Sequence, residues 1–321
     1  MVGDADTILS SLPPGPRGRH TLPAAPGNHP VQKTIVYILS TNFAGSHFLS
    51  LLLGSHSQAL HVGELRHMRR EGRAHRNQCS ICEPPESCPL RRGISPETID
   101  RVYSTIWENT NHEWPVFIDT SKRVDWCQRF LNLEGVRSRF VHLIRDPRAL
   151  VRRWLLSYTK GSQHRHARWV TMKREPRHAL SVLLASRPRM YLYKWLQKNS
   201  QISRFLEPRR ADSFVVTYQD LALSPEREIR RITEGVGLSF EPGQLEYWTR
   251  EHHGSQKTTY EWVKKDKVRH FDVRWKEFLS DRFQASIEND AVLRRYLASQ
   301  DLHLTADGLT RSLTRVIGEG Q

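Results

Sequence analysis

Thr34-Ile-Val-Tyr-Ile-Leu-Ser-Thr-Asn-Phe-Ala-Gly-Ser-His-Phe-Leu-Ser-Leu-Leu-Leu53 decides the fold. Its first residues form a short, β-branched apolar run, the pattern of a buried strand. A loop of small residues follows, including Ser40, Thr41, Ala44, Gly45 and Ser46. From Phe48 onward the chain turns apolar again and reads as a helix. A strand, a tight small-residue loop and a helix N-terminus together make an anion site, because backbone N–H groups converge there and the helix dipole adds partial positive charge. The loop lacks the Gly-Lys-Ser/Thr ending of triphosphate loops, since His47 follows Gly45 and Ser46. The pattern therefore points away from a magnesium-bound triphosphate.

Three further apolar runs, at 116–118, 140–144 and 213–217, read as buried parallel strands like the first at 34–39. Helical patterns lie between and around them at 48–54, 96–108, 124–133, 148–158 and 225–236. Alternating strands and helices predict an α/β fold: a P-loop-like parallel sheet flanked by helices, in a single domain. Ligands then belong at the carboxyl ends of the strands. Those ends carry Ser40–Ser46, Asp119–Lys122, Arg145–Arg148 and Tyr218. The Pro- and Gly-rich residues 1–32 read as a disordered arm, 33–300 as the domain, and 301–321 as a C-terminal helical tail with Leu309, Leu313 and Val316 on one face. The basic, aromatic stretch 159–178 reads as an exposed loop or lid.

The chain has 321 residues, with 49 Lys and Arg against 34 Asp and Glu, a net charge of +15. This favours anionic partners without choosing among nucleotides, acidic substrates, nucleic acids and membranes. No apolar run approaches the length of a membrane span. The opening Met-Val-Gly-Asp-Ala-Asp has neither a basic n-region nor an apolar core, so a cytoplasmic location is expected. Cys79, Cys82 and Cys88 have metal-ligand spacing, with His75 or Cys127 as a fourth ligand for a structural zinc. A disulfide and free thiols remain equally open for this cluster.

Four segments in order resemble the sulfotransferases that use 3′-phosphoadenosine 5′-phosphosulfate (PAPS). Phe43-Ala-Gly-Ser-His-Phe-Leu49 resembles the family's 5′-phosphosulfate loop, with Phe43 where that loop has arginine. Val116-Phe-Ile-Asp-Thr-Ser-Lys122 resembles the Val-Asp-Ser-Ser-Lys segment of bacterial members. Arg145-Asp-Pro-Arg148 resembles the 3′-phosphate motif, with Arg153 at the position of its usual downstream serine, so that Arg153 or Ser157 takes that contact. Val215-Val-Thr-Tyr-Gln-Asp-Leu221 resembles the Arg-Tyr-Glu-Asp-Leu strand. A weaker match runs from His252-His-Gly-Ser-Gln to Arg274-Trp-Lys-Glu-Phe-Leu279.

The resemblance implies sulfuryl transfer from PAPS to a hydroxyl of a carbohydrate or small-molecule acceptor, with adenosine 3′,5′-diphosphate as product. It implies that Ser40, Thr41, Phe43, Ala44, Gly45, Ser46, His47 and Phe48 cradle the phosphosulfate. Arg145, Arg153, Tyr218, Lys264 and Lys265 would then contact the nucleotide. Glu64 lies 21 residues beyond Phe43, the spacing of the Gly-Glu base in tyrosine sulfotransferases, and His61 is the runner-up. A carboxylate in a dry anion pocket is expected to have a raised pKa. Lys122 would stabilise the leaving phosphate. Two other readings remain, a P-loop-like nucleotide kinase and a basic nucleic-acid-binding protein. The missing loop lysine weighs against the first. The gathering of basic residues in anion-loop motifs, rather than in one stripe, weighs against the second.

Overall fold

The computed structural model describes residues 32–69, 79, 81–84, 87–253 and 271–311, with the side chain of Arg177 excepted. The expected arm, apart from its last residue, lies outside these, as do His75, Lys264, Lys265 and the chain beyond 311. In order, β1 (Thr34–Ser40) leads to α1 (Ser46–Leu53), β2 (Ala59–Gly63), α2 (Val102–Asn109) and β3 (Val116–Lys122). Then come α3 (Val124–Cys127), β4 (Arg137–Ile144), α4 (Pro147–Ser157), α5 (Gly161–Arg174), α6 (Ala179–Leu184) and α7 (Arg187–Leu206). β5 (Ser213–Thr217), α8 (Tyr218–Leu223) and α9 (Pro225–Val236) follow. Past the undescribed stretch lie α10 (Trp275–Phe278), α11 (Asp281–Glu288), α12 (Ala291–Ser299) and a hairpin of β6 (Leu302–Leu304) and β7 (Leu309–Arg311).

The first five strands form one parallel sheet in the order β2-β3-β1-β4-β5. From β1 the chain runs to the edge strand β2, returns to β3 beside β1, and then crosses to β4 and β5 on the other side, so the direction of winding switches beside β1. Open α/β sheets bind ligands at such a switch point. β1 is buried along its whole length, which is why it reads as an unbroken apolar run. Its odd-numbered residues Ile35, Tyr37 and Leu39 share a core with Val102, Tyr103, Ile106 and Trp107 of α2. A second core joins α4 and α7 to α10–α12 and the hairpin.

Four sequence expectations need correction. β2 was not expected, because His61 interrupts a five-residue run too short to stand out. The stretch 159–178 is no loop: it contains α5, a polar helix that buries only the narrow stripe His164, Ala167 and Thr171. The 20-residue α7 was also missed, although Tyr191, Leu192, Trp195, Leu196, Ile202 and Leu206 recur at helical spacing. Leu309 lies in a strand rather than a terminal helix, paired with Leu304 across a turn closed by Thr305 and Gly308. Among the described residues, no helix is long and apolar enough to cross a membrane.

Arg148 is also not a phosphate-binding arginine. It is fully buried, and its side chain donates to both oxygens of Asp146, to Glu288 and to the Thr305 carbonyl. Its guanidinium lies 3.8 Å from the centre of the Trp275 ring. Asp146 also caps α4 by accepting from the Arg148 N–H at 2.7 Å, with Pro147 in the first turn. Removing one member of such a buried network strands the other charges. Arg148→Ala is therefore expected to lower unfolding stability by about 3–5 kcal/mol in a urea titration. A loss below about 1 kcal/mol, the range of surface pairs, would contradict this role.

Candidate active site

Each of the five parallel strands ends at or just before a residue singled out from the sequence. The loop after β1 turns at Gly45, whose φ of 100° lies in the left-handed region. A Cβ at Gly45 would sit 2.4 Å from the Tyr218 ring, so both the turn and the close approach require glycine. No side chain caps α1. The N–H groups of Gly45, Ser46 and His47 have no hydrogen-bond partner among the described residues. Three free donors at the positive end of a helix make the loop an anion cradle.

β2 and β3 each carry one extra residue near their ends. His61 pairs with Ile118 and Gly63 with Asp119, while Tyr37 pairs with Asp119 and Leu39 with Lys122. Bulges of this kind re-aim the side chains that follow. Lys122 is held at φ 62°, rare for a residue with a side chain and costing about 1–3 kcal/mol. Asp119 secures the bulge: it accepts from the Ser121 N–H, from the Tyr103 hydroxyl at 2.6 Å and from Trp126 Nε1 at 3.0 Å. The result is that Lys122 Nζ donates to Glu64 Oε1 from the next strand end.

Four cationic or imidazole groups surround the Glu64 carboxylate, which is only 7% exposed. Beside Lys122, His67 Nε2 donates to Oε2 at 3.0 Å, Arg66 Nη2 lies 3.5 Å away, and His47 Nε2 lies 3.8 Å from Oε1. Burial alone raises the pKa of this carboxyl. The His67 hydrogen bond, the Lys122 charge and His47 outweigh it and hold the group well below the usual carboxylate range. The expected upward shift is thus reversed, because the pocket is dry but crowded with donors. His47 is held down to about 4, first by loss of hydration and then by Lys122. It is a neutral imidazole at neutral pH. His61 is pushed well below its ordinary value by burial, then by His252 and His47. It sits behind His47, with ring centres 6.4 Å apart.

Arg145 joins the loop to the far end of the sheet. It donates to the Phe43 carbonyl at 2.7 Å and to Asp272 at 2.8 Å, and it stacks 4.4 Å from the Tyr218 ring centre. Phe43 stands at φ 68° and is partly exposed. Arg153 from α4 lies over its ring at 4.9 Å. A cation is therefore present beside the loop although Phe43 itself is uncharged, supplied through a cation–π contact. Nothing in the loop sequence signals this, because the partner lies 110 residues away.

A cavity of about 630 Å³ opens beside Ser40, Thr41 and Lys122, walled by α4, α5 and α7. Its lining among the described residues includes Arg66, Arg123, Arg174, Lys194 and Lys198 and no carboxylate. Lys194 and Lys198 are each pushed down to about 8, first by burial and then by neighbouring arginines. The sequence offered α7 no role, yet it contributes both lysines.

Cys127 does not complete the cysteine cluster, and His75 lies outside the described residues. Cys127 is buried in the first core, its thiol donating to the Val124 carbonyl. Cys79, Cys82 and Cys88 instead converge on His253.

No family model and no curated protein matches the chain. Among solved structures, the sulfotransferase domain from the curacin biosynthetic pathway superposes with a TM-score of 0.51 at 16% identity. The match covers 83% of this chain and 97% of that one. The sulfotransferase domain of the Synechococcus PCC 7002 olefin synthase gives 0.43 at 14% identity over 80% and 97% of the two chains. Sulfotransferase STF9 from Mycobacterium avium gives 0.44 at 13% identity over 84% and 77%. The chain has the sulfotransferase fold.

Proposed function

We propose that this chain, built on the sulfotransferase fold, moves a sulfuryl group from PAPS to a hydroxyl of a carbohydrate or small-molecule acceptor. One observation carries the reading. A buried carboxylate and a lysine in strained backbone are aimed at each other by two bulges, next to a helix N-terminus with free donors. Sulfuryl transfer needs in-line geometry, a proton acceptor and cations where charge develops.

The loop N–H groups of Gly45, Ser46 and His47 hold the phosphosulfate. Lys122, now paired with Glu64, is drawn toward the oxygen that bridges sulfur and phosphorus, freeing a Glu64 oxygen. The acceptor hydroxyl gives its proton to Glu64 as its oxygen bonds to sulfur. The bridging S–O bond breaks, and its electron pair stays on adenosine 3′,5′-diphosphate beside Lys122. Arg145, Arg153 and Tyr218 bind the nucleotide, and Lys264 and Lys265 are assigned to its 3′-phosphate from the sequence alone. The cationic lining of the cavity favours an acceptor that itself carries negative charge.

The two carboxylates at the strand ends beside the loop, among the described residues, do not favour the kinase reading's magnesium ion. Asp119 is consumed by Tyr103, Trp126 and Ser121, and Glu64 by Lys122 and His67. The function is tested by incubating the protein with PAPS and a panel of acidic and neutral sugars and phenols. Acceptor-dependent release of adenosine 3′,5′-diphosphate supports the reading, and Mg·ATP consumption in its place refutes it. Arg145→Ala is expected to weaken adenosine 3′,5′-diphosphate binding by about 2–4 kcal/mol, since a charge-assisted contact and the support of the Phe43 carbonyl are lost together. Calorimetry showing unchanged affinity would remove Arg145 from the nucleotide site.

A further inference from the structure

The thiol cluster lies outside the proposed reaction. Cys79 and Cys88 are buried, and Cys82 and His253 are half-buried. His253 Nδ1 lies 3.7 Å from the Cys79 sulfur, 3.4 Å from Cys82 and 3.7 Å from Cys88. All four atoms fall within 4.8 Å of one another. An imidazole nitrogen has one lone pair or one proton, so it can serve one thiol and not three. None of the three sulfurs is bonded to another. A cation at the centre satisfies all four groups at once. With zinc–sulfur bonds of about 2.3 Å and a zinc–nitrogen bond of about 2.0 Å, a tetrahedron has S···N edges of about 3.5 Å, which the three distances match.

We infer that Cys79, Cys82, Cys88 and His253 form a Cys₃His zinc site that staples the segment around residues 79–88 to the chain at residue 253. Binding exchanges three thiol protons, released to solvent, for one zinc ion. Zinc with three thiolates and a neutral imidazole carries a net charge of −1. The half-buried Arg91 guanidinium, electrostatically coupled to Cys88, Cys79 and Cys82, offsets that charge. Four protein ligands leave no open position, so the metal is structural and not a Lewis acid for the reaction.

The staple has a consequence for the active site. His252 precedes the ligand, and its ring lies 6.2 Å from that of His61, which backs His47 and Glu64. Its Nε2 is 2.8 Å from the Tyr247 carbonyl. Fixing residue 253 therefore fixes the histidine wall behind the carboxylate. The assignment rests on the four ligands alone and is independent of the proposed reaction.

Zinc in the purified full chain, measured by mass spectrometry, tests it. About one zinc per chain is expected, falling to background in Cys82→Ser and His253→Ala but retained in Cys127→Ser and in the four-thiolate variant His253→Cys. Cobalt substituted into the wild-type chain is expected to give the strong visible bands of tetrahedral cobalt thiolate, a readout that stands even if a variant fails to fold. Fewer than about one zinc per ten folded chains would overturn the site. A mass deficit of two hydrogens, marking a disulfide within the cluster, would overturn it as well.

Discussion

Glu64→Gln is expected to cut kcat by about 10²–10⁴-fold while leaving adenosine 3′,5′-diphosphate affinity nearly unchanged. Glutamine keeps the shape of the side chain but cannot take the acceptor proton. The pH dependence has a definite sign. Because the folded-state pKa of Glu64 is depressed, its carboxylate stays ionised through and below the ordinary range, and the acid limb of kcat/KM from Glu64 lies below the ordinary carboxylate range. The stability its ion pairs provide is fully present above the unfolded pKa of about 4.3 and is lost as pH falls through the folded value. In Glu64→Gln that acid-side loss disappears. Unchanged turnover would move the proton acceptor elsewhere. His47, on the anion loop itself and 3.8 Å from Glu64, is then a candidate. His61→Ala is the parallel variant. Because His61 lies behind His47 and is buried, it is expected to lower stability more than kcat. A loss of activity confined to His61→Ala would overturn the Glu64 assignment.

Lys122→Ala is expected to lower kcat by about 10²–10³-fold with a much smaller rise in donor KM, because its contact strengthens as the bridging oxygen gains charge. A second effect follows from the pairing. Removing Lys122 takes away one of the groups that depress the Glu64 pKa, so the acid limb moves upward toward the ordinary carboxylate range. A merely structural lysine would lower stability without moving the profile. Unaltered kcat with a raised KM would make Lys122 a binding residue only.

The fold was legible where burial is two-sided. β1, β3, β4 and β5 each contain a run of apolar residues that marks a parallel strand, and α9 carries its start and stop as Pro225 and Gly237. What escaped was whatever mixes polar groups into buried positions. His61 hides β2, and the cavity-facing polar residues of α5 disguise a helix. The site was legible as a set of strand ends, since local motifs fix Gly45, Lys122 and Arg145. Its electrostatics was not, because the Glu64 pKa depends on Lys122, 58 residues away, and on two bulges that no local pattern announces. Distance also explains the misassigned fourth cysteine partner. His253 is separated from Cys79 by 174 residues, and only the tertiary fold brings it to the thiols.

The central claim is that the loop after β1, with Arg145 and Tyr218, is a site for the PAPS nucleotide. Calorimetric titration of adenosine 3′,5′-diphosphate into the protein, without magnesium, tests it most directly. The account predicts saturable binding of one nucleotide per chain, abolished or strongly weakened in Arg145→Ala. An absence of binding, or binding of ATP only when magnesium is added, would contradict it.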